Sequence, residues 1–306
     1  MVAKFSRKQR QELASMLPTV ACIHRGLFRS CAGLSVRMTS RGIGQKGILA
    51  NRVAVVTGST DGIGFAIARR LARDGAHVVV SSRKQQNVDR AVAALQGEGL
   101  SVVGTVCHVG KAEDRERLVA TVVEHCGGLD FLVCSAGVNP LVGSTLGASE
   151  QVWEAEQHAS ALTSDPGSEC EGPGPDTEPA AAPHGEEGWR GAVILVSSIS
   201  AYVPHVELGP YNISKTALLG LTRTLSLELA PKGIRVNCLV PGIIKTDFSK
   251  VAYKNEVFWN NFKEDHKVQR IGQPEDCAGL VSFLCSPDAS YITGENITVA
   301  GFSSRL

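Results

Sequence analysis

The sequence lacks the features that mark several large classes of protein. Its nine cysteines are odd in number and no two form a C-x-x-C pair, so neither a disulfide framework nor a structural zinc site is indicated. Its longest apolar runs, such as Val53–Val56 and Ala192–Val196, are too short to cross a bilayer. The formal net charge of +1 offers no broad basic face for nucleic acid. We therefore expect reduced, buried thiols, no metal site, no integral membrane association and no nucleic-acid partner.

The small net charge conceals an uneven distribution. Residues 1–47 carry nine Lys and Arg against the single acidic residue Glu12, a local charge of +8. The acid-free, Ser-containing stretch from Met16 to Gly44 has the composition of a mitochondrial transit peptide, which predicts the matrix as destination. Met1 and Met16 are both plausible starts. The terminus Ser304-Arg305-Leu306 differs from a peroxisomal signal only by Arg for Lys, which makes the peroxisome the alternative.

Most of the remaining chain alternates short apolar runs with helical patterns. Apolar strands separated by helices of 10 to 18 residues predict a parallel sheet covered on both faces. Right-handed crossovers then give one doubly wound, Rossmann-type α/β domain over residues 48–306.

One crossover helix is missing from this sequence pattern. Residues 154–188 hold nine acidic residues, five prolines and five glycines, with no Lys or Arg and no helical or strand period. Such a composition predicts disorder. Either this is a disordered insert, or a reading-frame or splicing difference has replaced the helix, and we favour the second.

A glycine-rich turn follows the first strand and opens the first helix. Its glycines permit a tight turn close to a pyrophosphate, and the helix N-terminus presents free N–H groups to that anion. This predicts dinucleotide binding by Thr57, Gly58, Ser59, Thr60, Gly62, Ile63 and Gly64. The second strand ends in Ser82, Arg83 and Lys84 where an NAD-selective site has Asp or Glu, so NADP(H) is the predicted cofactor.

Three residues later in the chain predict carbonyl chemistry. Tyr211 and Lys215 lie one helical turn apart, and Ser198 ends the preceding strand, at the edge where open α/β sheets bind ligands. A free tyrosine, with a pKa of about 10, is a poor proton shuttle at neutral pH. A nearby ammonium favours the phenolate, and the serine hydroxyl can polarise a carbonyl oxygen.

Together these motifs resemble the short-chain dehydrogenase/reductase family. The resemblance rests on TGSTDGIG at 57–64, CSAG at 134–137, Ser198 with YNISK at 211–215, and PGIIKT at 241–246, and it covers about residues 50–302. It implies NADP(H)-dependent reduction of small carbonyls or dicarbonyls, often by homo-oligomers. Tyr211 would be the acid/base, Lys215 its partner and ribose ligand, and Ser198 the positioner of the carbonyl. Further cofactor contacts would come from Ala136, Gly137, Pro241, Gly242, Ile244 and Thr246.

The chain departs from the family pattern at three places. Ser135 replaces the Asn of the family's N-A-G, and His108 stands where an Asp often meets adenine. The family's catalytic Asn lies in an N-x-N stretch on the helix after the fourth strand. Here that helix would fall within Gln157–Ser168, which contains no Asn. The alternative function is therefore a catalytically impaired homologue that binds cofactor or a protein partner.

Overall fold

The computed structural model describes residues 47–137, 143–152 and 190–302. The expectations for residues 1–46, for the acidic segment 154–188 and for the last three residues lie outside these ranges. Seven parallel strands form one sheet in the order β3-β2-β1-β4-β5-β6-β7. The strands are β1 Val53–Thr57, β2 His77–Ser82, β3 Val102–Val106, β4 Phe131–Cys134, β5 Gly191–Val196, β6 Ile234–Pro241 and β7 Asn296–Val299.

Helices cover both faces of this sheet. Seven α-helices lie wholly within the described residues: α1 Gly62–Arg73, α2 Gln85–Gly97, α3 Ala112–Cys126, α4 Gly209–Leu229, α5 Lys250–Lys254, α6 Glu256–His266 and α7 Pro274–Cys285. Residues 150–152 are also helical, at the edge of a described range. Every pairing of neighbouring strands is parallel. The predicted doubly wound parallel sheet is confirmed.

Successive residues of the buried strands face opposite layers of the core. In β1, Ala54 and Val56 pack with residues of α1 and α7, whereas Val53 and Val55 pack with residues of α3 and α4. All five residues of β1 and all eight of β6 are buried. This two-sided burial explains why β1 is apolar up to Thr57. Strand β6 is apolar from Cys238 onwards, but its first half carries two buried polar side chains, Arg235 and Asn237.

The order of the strands fixes where a ligand can bind. Strand β1 is flanked by β2 on one side and by β4 on the other. The sheet therefore grows from β1 to β3 in one direction and from β4 to β7 in the opposite direction. At such a switch point the loops diverge beyond the carboxyl ends of the strands and leave a crevice. The glycine-rich turn leaves β1 at this crevice.

No disulfide bond joins any of the six described cysteines. Burial raises the pKa of Cys107 and Cys238 to about 11, and of Cys277 and Cys285 to about 12. These four groups therefore stay protonated near neutral pH, which excludes them as thiolate nucleophiles. Five of the six described cysteines are buried, as expected, and Cys134 is partly buried.

The start of α7 carries a charge that should show in the pH dependence of stability. The Asp276 carboxylate accepts the backbone N–H of Gln273 at 2.7 Å, and the Arg270 guanidinium donates to both its oxygens at 2.6 and 2.8 Å. The Arg270 hydrogen bond, with that from Gln273, lowers the pKa of Asp276 from 3.8 to about 2. A depressed pKa stabilises the fold above the unfolded value, and this contribution is lost as the pH falls.

We expect Asp276→Ala to lower the free energy of unfolding by about 1 kcal/mol at neutral pH, the usual cost of losing a helix cap. The difference from the wild type should shrink as the pH falls from 3.8 towards 2, where Asp276 becomes protonated. Urea titrations at several pH values measure it. Glu275→Ala, at an exposed position in the same helical turn, is the matched control. An Asp276→Ala effect that is independent of pH over this range would contradict the assignment.

Candidate active site

The end of β1 is tied to the loop that follows β4. The Thr57 hydroxyl oxygen accepts hydrogen bonds from the backbone N–H groups of Ser135 and Ala136, both at 3.2 Å. A methyl group placed on Gly58 would lie 2.7 Å from the Cα atom of Ala136. The two loops therefore meet in backbone contact at the switch point, and only glycine fits at position 58.

The glycines of the turn allow a backbone conformation that leaves room for a pyrophosphate beside free N–H groups. Gly58 and Gly62 adopt φ values of 61° and 54°, which favour glycine. A methyl group on Gly64 would lie 2.3 Å from the carbonyl oxygen of Gly58, inside van der Waals contact. Helix α1 begins here, so Ile63 and Gly64 lie in its first turn, where N–H groups have no partner within the helix. The shape and donors of this turn fit the phosphates of a dinucleotide.

Ser59 holds the glycine turn against β2. Its side chain is fully buried, and its hydroxyl donates to the Val56 carbonyl at 2.6 Å and accepts the Ser81 N–H at 3.0 Å. Its own N–H donates to the Ser81 carbonyl at 3.0 Å. The Ser59 hydroxyl therefore orders the turn from inside the protein. Beyond Ser81, Ser82 is partly buried and Arg83 and Lys84 are exposed at the same edge of the sheet.

The loop after β6 reaches back to the start of α1. The N–H of Gly242 donates to the Val299 carbonyl at 2.9 Å, which joins this loop to the end of β7. Ile244 is buried and forms an isolated parallel bridge with Gly272. The Cγ2 atom of Thr246 lies 3.1 Å from the position that a methyl group on Gly62 would occupy. The structure thus brings Thr246 and the glycine turn to one crevice, with Pro241 ending β6 beneath them.

The start of α4 packs on the end of β5 and brings the predicted acid/base residues there. The Lys215 ammonium donates to the carbonyl of Val196, the last residue of β5, at 3.2 Å. The same ammonium lies 5.7 Å from the ring centroid of Tyr211. The Ser197 hydroxyl donates to the Lys215 carbonyl at 2.7 Å, which fastens the helix to the strand. Tyr211 and Lys215 are therefore held together at the carboxyl edge of the sheet.

Ser198 follows the same strand and begins a short 3-10 turn, Ile199–Ala201. Its hydroxyl accepts the backbone N–H of Ser200 and donates to the Ser200 hydroxyl, both at 3.2 Å. Ser198, Tyr211 and Lys215 are 9%, 8% and 7% exposed, so each stands nearly out of water yet at the edge of the crevice. Electrostatic effects between such groups are stronger than they would be in water.

The aromatic ring beside Tyr211, that of Phe248, was not foreseen from the sequence. The ring of Phe248 lies 5.9 Å from that of Tyr211, and Phe248 stays 38% exposed. Helices α5 and α6 follow, and α6 contributes Phe258 and Phe262 to a cluster with His205. The sequence does contain a signal for the start of α6, because Asn is a favoured N-cap residue. In the structure the Asn255 side chain caps this helix by accepting the Phe258 N–H at 3.0 Å.

Comparisons with known proteins agree with this geometry. A family model described as "Enoyl-(Acyl carrier protein) reductase" matches residues 58–302. The human protein "Dehydrogenase/reductase SDR family member 2, mitochondrial" is 70% identical over 95% of this chain and 100% of its own length. The human "Dehydrogenase/reductase SDR family member 4" is 58% identical over 92% of this chain and 99% of its own.

The chain belongs to the short-chain dehydrogenase/reductase family. Among solved structures, a short-chain dehydrogenase from Burkholderia cenocepacia J2315 in complex with NADP covers 84% of this chain and 99% of its own, with a TM-score of 0.69 and 26% identity. Membership of this family supports the conclusion that the chain is an oxidoreductase that uses a nicotinamide dinucleotide. The family's catalytic Asn is expected in a stretch, Gln157–Ser168, that lies outside the described residues.

Within the described residues, no helix is both long and apolar enough to span a membrane.

Proposed function

We propose that the chain reduces small carbonyl or dicarbonyl compounds with NADPH, in a crevice at the carboxyl edge of its sheet. The observation that carries this proposal is the placement of the Lys215 ammonium between the end of β5 and the ring of Tyr211. Ser198 stands two residues after the strand residue that Lys215 contacts. Bound NADPH would supply the hydride, and the protein must then supply the proton and hold the substrate.

The proposed proton donor to the carbonyl oxygen is the Tyr211 hydroxyl. As the carbonyl carbon accepts hydride, its oxygen gains negative charge, and proton transfer from Tyr211 completes the alcohol. The Lys215 ammonium stabilises the phenolate that remains, because an opposite charge nearby favours the charged form. The Ser198 hydroxyl donates to the same oxygen. It can do so after rotating away from Ser200, since hydroxyl hydrogens follow the best available acceptor.

Phe248 and the crevice loops would shape the substrate side. The exposed Phe248 ring beside Tyr211 presents an apolar surface next to the proton donor. Water near the phenol would be displaced by an apolar substituent of the substrate. This favours compact carbonyls that carry apolar groups, and the dicarbonyl diacetyl is a suitable probe.

We propose NADPH as the cofactor because cations follow β2. Arg83 is exposed at the end of this strand, where its guanidinium can grip a ribose 2′-phosphate as a fork. We expect Arg83→Gln to raise the KM for NADPH by about tenfold or more, in line with a lost charge-assisted hydrogen bond. The KM for NADH should change little, because NADH has no 2′-phosphate.

Steady-state kinetics with both cofactors test this choice. Arg90→Gln, which removes an equal charge from an exposed position on α2, is the matched control and should leave both KM values unchanged. An equal rise in KM for NADPH and NADH would show that Arg83 does not read the 2′-phosphate.

A second candidate function is a catalytically impaired homologue that binds cofactor or a protein partner. The observation in its favour is that Gln157–Ser168, where the family's catalytic Asn would fall, contains no Asn. This candidate predicts tight NADPH binding without turnover. Fluorescence of bound NADPH, measured beside its consumption with diacetyl, separates the two.

We propose the mitochondrial matrix as location. The charge of +8 on residues 1–47 supports this location. So does the word "mitochondrial" in the name of the human relative that is 70% identical. The peroxisome is the alternative, on the terminus Ser304-Arg305-Leu306. Homo-oligomers are proposed from the family resemblance. Fluorescent fusions that leave one terminus free at a time test both addresses.

A further inference from the structure

A cavity of about 400 Å³ opens at the amino edge of the sheet, opposite the proposed active site. Its walls come from the segment before β1, from the first residues of β4, β5 and β6, and from the end of α7. The carboxyl ends of the strands, with Tyr211 and the glycine turn, lie at the other edge. Nothing in the proposed reaction uses this cavity.

The charged residues that line the cavity are all cationic. They are Arg52, Arg190 and Arg235, and no Asp or Glu is among the described lining residues. Arg52 is bound by the buried carboxylate of Asp130 at 2.8 Å, so its charge is largely compensated. Arg190 is exposed and lies at the start of β5, next to the start of β6 where Arg235 lies.

Arg235 is a buried cation whose hydrogen-bond partners among the described residues are neutral carbonyl groups. It is 3% exposed, and its two terminal nitrogens donate to the carbonyl oxygens of Leu284 at 2.6 Å and Ile292 at 3.3 Å. Its Nε–H is buried without a hydrogen-bond partner among the described residues. Burial lowers the pKa of this guanidinium.

The carbonyl end of α7 offsets only part of the Arg235 charge. Leu284 lies in the last turn of that helix, and a helix C-terminus carries about half an elementary negative charge. A buried cation without a full counter-charge is unfavourable, and an anion placed in the adjoining cavity would relieve it. This electrostatic gain does not require the anion to touch Nε.

We propose that this cavity binds an organic anion with a short apolar body, a carboxylate in the first instance. Arg190 would grip the carboxylate as a fork, and the Arg235 charge would stabilise it from the wall. The remaining wall is largely apolar, with Leu49, Phe131 and Pro287 among its residues. A cavity of this volume with few polar groups among apolar ones is typical of small-molecule sites.

The test is calorimetric binding of hexanoate to the full chain at constant ionic strength. We expect saturable binding, with hexan-1-ol and inorganic phosphate each at least about tenfold weaker, because each offers only half of the recognised chemistry. Arg190→Gln should weaken hexanoate binding by about tenfold or more, and Arg190→Glu should abolish it. Arg90→Gln, a surface charge change elsewhere, should leave the affinity unchanged.

The same variants distinguish this site from the active site. Because Arg190 lies at the opposite edge of the sheet, Arg190→Gln should consume NADPH with diacetyl at the wild-type rate. Equal affinities for hexanoate and hexan-1-ol would overturn the proposal. So would hexanoate binding that is unchanged in both Arg190 variants.

Discussion

Tyr211→Phe is expected to lower kcat/KM for reduction of diacetyl by about a thousandfold, within the range that a positioned general acid contributes. The substitution removes only the hydroxyl oxygen. The ring contact with Phe248 and the position of Lys215 beside the ring should persist. NADPH should therefore bind with an affinity within about twofold of the wild type, while the proton donor is gone.

Tyr291→Phe is the matched control for this change. Tyr291 is fully exposed and lies far from the crevice, so Tyr291→Phe removes the same hydroxyl group at a remote position. Its activity should equal that of the wild type. If Tyr211→Phe retained more than about a tenth of the wild-type kcat/KM, Tyr211 would not be the acid.

Gly64→Ala is expected to remove measurable NADPH binding. The added methyl group would lie 2.3 Å from the Gly58 carbonyl oxygen and 3.0 Å from Ser59 Cα, both backbone atoms. The turn can relieve this overlap only by moving away from the start of α1, and that movement opens the cradle for the pyrophosphate. We expect a loss of about a hundredfold or more in NADPH affinity, the scale of misplacing a positioned phosphate clamp. Quenching of protein fluorescence by NADPH measures it.

Gly97→Ala is the control for Gly64→Ala. Gly97 ends α2, and a methyl group there would meet nothing within 4 Å. Its NADPH affinity should be unchanged, and its stability equal to or about 0.5 kcal/mol above that of the wild type. Wild-type NADPH affinity in a folded Gly64→Ala protein would contradict the role of the glycine turn.

The parallel sheet could be predicted closely because its central strands are buried on both faces. Strand β5 is apolar without a break, and β2 holds the apolar run Val78–Val80 between His77 and Ser81. Polar residues bound each run, so the position of each strand is visible in the sequence. The predicted strand at 192–198 extends past the observed β5, Gly191–Val196, because Ser197 and Ser198 leave the sheet for the 3-10 turn. That difference matters, since it places Ser198 beyond the strand, at the crevice.

The features that escaped prediction depend on contacts between distant parts of the chain. The burial of Ser59 cannot be predicted from its neighbours in the sequence. Its hydroxyl points into the protein because it forms hydrogen bonds that link the end of β1 to β2. The pairing of Phe248 with Tyr211 joins the loop after β6 to α4. Arg235 appears in the sequence as an ordinary charged residue. Only the folding of the sheet buries Arg235 and brings the other Arg residues to the same cavity.

Product analysis on the wild-type chain tests the central claim most directly. That claim is that Ser198, Tyr211 and Lys215 act together beside bound NADPH to reduce a carbonyl. The full chain is incubated with NADPH and diacetyl, and acetoin is quantified against the NADPH consumed. The account predicts one acetoin for each NADPH, at a rate far above that of Tyr211→Phe. NADPH that binds tightly while acetoin stays at the level of that variant would contradict it and identify a cofactor-binding homologue without turnover.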